Sequence, residues 1–181
     1  MWWAGLEAGV AFTLSSAASP ITRKDSLRSA LIYIAKPEEI AAFDATRSTY
    51  ALEEWLDEFW RKRDLTPQTP LNEARMQYEL RVQKANQRYS RPRKLGISTD
   101  VGRVLAIYGE PDATESEYSA YDATYRYELW VYRNRVRNIP TALFLFEFSG
   151  TLDGRQIYSN VPGELSGPIP RGLPKKMQVW F

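Results

Sequence analysis

The side chains whose types and spacing in this chain suggest chemistry are arginines, carboxylates and amides, and it contains no histidine and no cysteine. That absence removes thiol and imidazole nucleophiles, the commonest general base, zinc sites built on sulfur or imidazole, and disulfides. Two polar groupings remain. Asp100, Glu110 and Asp112 bracket one short stretch, and three carboxylates can hold a hard cation through oxygen ligands. The same residues serve as a first-turn helix acid and as turn formers, and this reading is adopted, so neither metal nor cofactor is expected. Arg63, Arg81, Arg103 and Asn86 form the other set. A guanidinium pairs with a carboxylate through two parallel hydrogen bonds, so these residues predict a buried Arg–Asp network tying helices to the stretch around Asp100. An anion or substrate site built from the same arginines is the alternative. Asp64, Asn72 and Glu73 read as loop and cap residues, with Asn72 or Thr69 able to accept from the orphan N–H groups of a following helix.

Nucleic-acid chemistry is not favoured. Residues 91–94 and 133–137 are basic and have aromatics nearby, but a net charge of only +2 gives no face-wide field, and no nucleic-acid partner is expected. Gly102 falls inside a predicted helix, and nothing follows the spacing of a phosphate-binding loop.

The elements that must position these residues are organised around residues 96–112. Gly96 permits a turn, Ser98 or Thr99 can cap the next helix, and Asp100 sits in its first turn. Val101, Val104, Leu105 and Tyr108 recur at helical spacing, Gly109 follows the helix end, and Pro111 stops it. Upstream, residues 47–63 predict a strongly amphipathic helix in which Leu52, Trp55, Leu56, Phe59 and Trp60 share a face. Residues 66–70 break the chain, and residues 71–89 predict a second helix, making an antiparallel hairpin. Residues 20–30 read as a polar connector, residues 31–35 as a short strand, and Pro37 as a helix start. Downstream, residues 113–122 read as a mobile polar loop, and residues 124–132, 141–148 and 155–159 as strands of an antiparallel meander. The expected fold is therefore α+β: a helical hairpin, a short hinge helix and a three-stranded antiparallel sheet with one face on the helices.

Both ends stand apart from this domain. Residues 1–30 predict an N-terminal arm or a retained signal-like segment, since residues 1–19 are mostly apolar but lack a basic start and carry Glu7. Residues 161–181 predict an extended Pro/Gly-rich arm. Trp2 and Trp3 at one end, and Pro168, Pro170, Trp180 and Phe181 at the other, are the expected partner-binding residues, because buried aromatics dominate interfaces.

An ordered series of residues resembles the GWxTD domain family, bacterial proteins that usually carry a secretion signal and have no general assigned activity. The series runs Phe59-Trp60, Arg63-Asp64, Asn72-Glu73, Arg81, Asn86, Gly96 with Thr99-Asp100, Gly102-Arg103 and Gly109 with Pro111-Asp112, within residues 31–160. Ile97 stands where the family name has Trp. The hinge and strands are also similar, more weakly, to the BamE-like outer-membrane assembly lipoproteins. These resemblances imply a non-catalytic protein-interaction module. It would be an accessory or scaffold subunit docked through its arms on the periplasmic side of a membrane-associated complex, with protein partners and no confident membrane span. A small-ligand binder or enzyme using the Arg/carboxylate cluster is the alternative. An open cleft lined by Arg63, Arg81, Asp100 and Arg103 would favour that alternative, and mutual pairing of those side chains would favour the module.

Overall fold

The computed structural model describes residues 22–136 and 138–181, so Trp2 and Trp3 lie outside the described residues. Among the described residues four helices come first: α1 (Arg23–Leu31), α2 (Pro37–Ala45), α3 (Thr49–Arg61) and α4 (Glu73–Tyr89). A 3₁₀ turn (Gly96–Ser98) leads into α5 (Asp100–Tyr108). Strands β1 (Ala113–Tyr118), β2 (Tyr125–Val136), β3 (Ile139–Ser149) and β4 (Thr151–Ser159) then form one antiparallel sheet in the order β1-β2-β3-β4. A single turn of helix, α6 (Lys175–Gln178), closes the chain. The α+β class holds, with four strands where three are expected from the sequence.

Three sequence expectations are corrected. Residues 31–35 are not a strand; they are the end of α1 and the turn after it. Thr22 Oγ1 accepts from Asp25 N while Asp25 accepts from Thr22 N, and this reciprocal cap starts a helix where polar residues suggest a connector. Leu27, Ala30, Leu31 and Ile34 then fall at helical spacing against the helical core. Residues 113–118 are an edge strand, not loop. Their polar side chains alternate between half-buried Ala113, Glu115 and Glu117 and exposed Thr114, Ser116 and Tyr118. The C-terminal segment is not a free arm. Leu173 and Met177 are fully buried on the domain's own sheet.

Three apolar clusters hold the layers. Phe43, Leu52, Leu56, Phe59, Trp60, Tyr78 and Ile97 join α1–α4 to the 3₁₀ turn. α3 and α4 meet near their linked ends, where Trp60 lies 5.9 Å from Tyr78 and Asn72 Nδ2 donates to Trp60 O at 2.7 Å. On the inner face of the sheet, Trp130, Tyr132, Phe144 and Phe146 pack on Ala85 of α4 and Val101, Val104 and Leu105 of α5. On the outer face, Leu129, Val131, Leu143 and Leu145 pack under Leu173 and Met177. With both faces covered, β3 is apolar on both sides, which explains its unbroken Ala-Leu-Phe-Leu-Phe run.

Candidate functional site

The hinge is built by close backbone approach. Gly96 packs so tightly on α4 that a Cβ there would sit 2.0 Å from Ala85 O. A Cβ on Gly102 would sit 1.9 Å from Gly96 O. The requirement at Gly96 is contact, since its φ is not positive, whereas Gly109 has φ +81° and ends α5 in a conformation that glycine alone adopts readily. Thr99 is the cap: its Oγ1 accepts from Gly102 N at 3.0 Å and donates to Gly96 O at 2.7 Å. Asn86 Oδ1 accepts from Ile97 N at 3.0 Å, which pins the turn to α4. The Ile97 side chain is fully buried in the helical cluster.

Asp100 and Arg103 point from this hinge toward β4 and the C-terminal segment. Asp100 Oδ2 accepts from Gln156 N at 2.8 Å. Arg103 donates twice to Glu164, at 2.9 and 2.6 Å, and once to Gln156 Oε1 at 2.7 Å. Tyr108 Oη donates to Glu164 Oε1 at 3.0 Å, and Gln156 Nε2 reaches Leu165 O at 3.2 Å. Burial alone would raise the Glu164 carboxyl, but the hydrogen bonds and charge of Arg103 hold it below the ordinary range. The same burial disfavours the Arg103 cation, and pairing with Glu164 outweighs it and raises the guanidinium. This is an Arg–Glu network where an Arg–Asp one is expected. Its partners were not singled out by the sequence: Gln156 falls inside the predicted strand 155–159 and Glu164 in the Pro/Gly-rich segment, and pairing so distant along the chain leaves no local pattern.

The remaining motif residues are held separately. Arg63 donates to Glu39 at 3.1 and 2.6 Å and to Ile34 O, and lies 3.6 Å over the Phe59 ring. Arg81 donates to Ile107 O at 3.2 Å and flanks Gly109. Asn72 caps α4 by accepting from Arg75 N at 2.9 Å. Asp64 accepts from Thr66 N at 2.9 Å, and Glu73 accepts from the hydroxyls of Thr66 and Thr69. Glu110 pairs with Arg88 at 2.8 Å and Lys84 at 3.4 Å. Asp112, beside Pro111 at the stop of α5, accepts from Arg133 N at 2.7 Å and pairs with Arg135 at 2.8 Å. Asp100, Glu110 and Asp112 therefore face different partners, and no cluster fit for a metal ion forms among the described residues. A cleft of about 330 Å³ lies elsewhere, between α2 and α3, over Trp55 and Phe59. Its Glu39 and Glu58 are already paired, with Arg63 and with Arg61 and Lys62.

The residues whose spacing suggests a family thus fall in two places: Phe59, Trp60 and Arg63 in the helical cluster, and Asn86, Gly96, Thr99, Asp100 and Arg103 where α4, the 3₁₀ turn, α5 and β4 meet. A GWxTD domain model matches residues 6–161. The chain belongs to the GWxTD domain family. No match was found among curated proteins or among solved structures. In this GWxTD domain the name-giving Trp position is filled by Ile97, and an aliphatic side chain completes the aromatic cluster there.

Proposed function

We propose that this GWxTD protein is a non-catalytic interaction module, an accessory or scaffold subunit docked on the periplasmic side of a membrane-associated protein complex. One observation carries the reading: Arg63, Arg103 and Asp100 do not pair with one another, but each is held by another group within the chain, Glu39, Glu164 and the Gln156 N–H respectively. Charged groups held in this way rigidify a scaffold; a substrate site needs some of them available. The apolar composition of residues 1–19 supports export or attachment at a membrane surface. No helix of the described residues is long and apolar enough to cross a membrane. Contact falls to the terminal segments: Trp2 and Trp3 at one end, and at the other exposed Leu165, Val179 and Phe181, with Pro168 and Pro170 stiffening the link between them.

The test is affinity purification of the tagged full-length protein from native membranes in mild detergent. Stoichiometric co-purifying subunits, reduced by deleting residues 2–12, are the expected result. Purification of the chain alone, from membrane and aqueous fractions alike, would overturn the reading.

A further inference from the structure

We infer that the turn between β1 and β2 dips into the headgroup layer of a phospholipid bilayer, with Tyr118, Tyr121 and Tyr125 as its anchors. The three rings share one hairpin end and are 65%, 80% and 36% exposed. None belongs to an apolar cluster of the fold, and none of their hydroxyls has a partner among the described residues. Packing therefore does not account for them. Large exposed aromatics grouped at one place mark a contact surface. The turn that carries them is also well held. Ser119 N donates to Tyr125 O at 2.8 Å, and Ala120 N donates to Gly172 O at 3.0 Å. Asp122 Oδ1 accepts from the N–H and the hydroxyl of Thr124 at 2.9 and 2.7 Å. The rings are thus presented in place, and little order has to be gained on binding.

Strand alternation decides what kind of surface meets them. Tyr118 shares the side of Ser116, whose Oγ accepts from Arg126 at 2.7 Å, and Arg126 lies over Phe148 of the inner cluster. Tyr125 shares the side of Tyr127 and Leu129, which belong to the outer cluster. Tyr121 stands at the turn between them, beside Gly172, and residues 120–125 are exposed without a break. A flat protein contact would gather its rings on one face. Rings on both faces of a hairpin end suit a medium that surrounds it. Phenols favour the bilayer interface, where the ring is apolar and the hydroxyl is wet. Cations stand behind the turn to meet lipid phosphates: Arg126, exposed Arg171 next to Gly172, and Lys176, 3.7 Å from Glu117. Single-stranded nucleic acid also stacks on aromatics, but it needs a basic groove along them, and here Asp122 occupies the turn. The inference deepens the proposed docking at a membrane surface and rests on it for location alone. Vesicle binding tests it without any partner subunit, so it can fail where co-purification succeeds.

A chain without cysteine allows a dye to be placed at one position. Full-length protein carrying Ala123→Cys, labelled with a polarity-sensitive dye, is mixed with vesicles of phosphatidylcholine and phosphatidylglycerol. A blue shift is expected, and none from the same dye at Lys62→Cys in the helical layer. Flotation of the unlabelled chain with these vesicles should fall several-fold when Tyr118→Ser, Tyr121→Ser and Tyr125→Ser are combined, at an unchanged unfolding midpoint. Should that combination unfold the chain, Tyr121→Ser alone, at the most exposed ring, must still weaken flotation. A wild-type chain that does not float, or one whose flotation is indifferent to the tyrosines, overturns the proposal. Flotation with a silent dye at residue 123 overturns it equally and moves the membrane contact to residues 1–19. Displacement from the vesicles by a single-stranded oligonucleotide that shifts the same dye would overturn it in favour of nucleic acid.

Discussion

At the residue scale, the family signature acts through fit and capping. The predicted consequence at Gly102 is steric, because a methyl group 1.9 Å from Gly96 O forces α5 off the turn. Gly102→Ala should lower stability by about 3 kcal/mol, the upper range for overpacking, as read from the urea midpoint. Asp100→Ala leaves the Gln156 N–H without its acceptor, and Gln156 is almost fully buried. A loss of about 1–3 kcal/mol is expected, with binding by the folded protein unchanged; an unchanged midpoint with binding abolished would make Asp100 a contact residue instead. Glu164 gives a pH signature. Its folded pKa lies below the ordinary value of 4.5, so its stabilisation is complete above that pH and is lost as pH falls through the depressed value. The gap in unfolding midpoint between wild type and Glu164→Gln should therefore be open at neutral pH and close on acidification below about 4. Cap residues such as Asn72 and Thr99 were legible in the sequence because a cap acts within three residues. Glu164 was not, because its partner Arg103 is distant along the chain and pairing of that kind leaves no local pattern.

At the element scale, legibility followed contrast between faces. α3 was readable because Leu52, Leu56, Phe59 and Trp60 are buried while Glu54, Asp57 and Arg61 are exposed. α5 was readable for the same reason, and β2 and β3 through their dense apolar and aromatic content. β1 was hidden because an edge strand needs only its backbone bonds to β2, so Thr, Glu and Ser satisfy it. α1 was hidden because residues 23–30 are mostly polar and Leu31-Ile-Tyr-Ile after them suggests strand, until the Thr22–Asp25 cap and the helical core outweigh both signals. α6 was hidden among prolines and glycines, since its single buried side chain, Met177, cannot form a period. Its energetic weight is nevertheless large. Met177→Ala removes a fully buried side chain from the cluster it shares with Leu129 and Leu145, and a loss of about 2–4 kcal/mol is expected. Thermal denaturation should show it as one lowered transition if the segment unfolds with the sheet, and an unchanged transition would mean that α6 opens independently.

At the scale of the whole molecule, the sheet is a middle layer between α4–α5 and the C-terminal segment. The matched GWxTD region ends at residue 161, one layer short of covering this sheet. Leu129, Val131, Leu143 and Leu145 are each 5% exposed or less with the segment in place. Removing it uncovers a contiguous aliphatic face of the kind that monomers rarely present to water. Deletion of residues 162–181 also removes Glu164, leaving Arg103 half-buried beside Gln156 without its carboxylate, and stranding a buried cation is costly in its own right. The two losses act on opposite sides of the sheet and should add, because the residues involved share no partner. The truncated chain should therefore bind an apolar fluorescent dye that the full-length protein does not, and unfold at a lower temperature than either Glu164→Gln or Met177→Ala alone. Adding the excised peptide back should quench the dye signal, because the groove it fills is already shaped by β2 and β3. A truncated chain that stays dye-free at the wild-type midpoint would show instead that the sheet closes without its third layer.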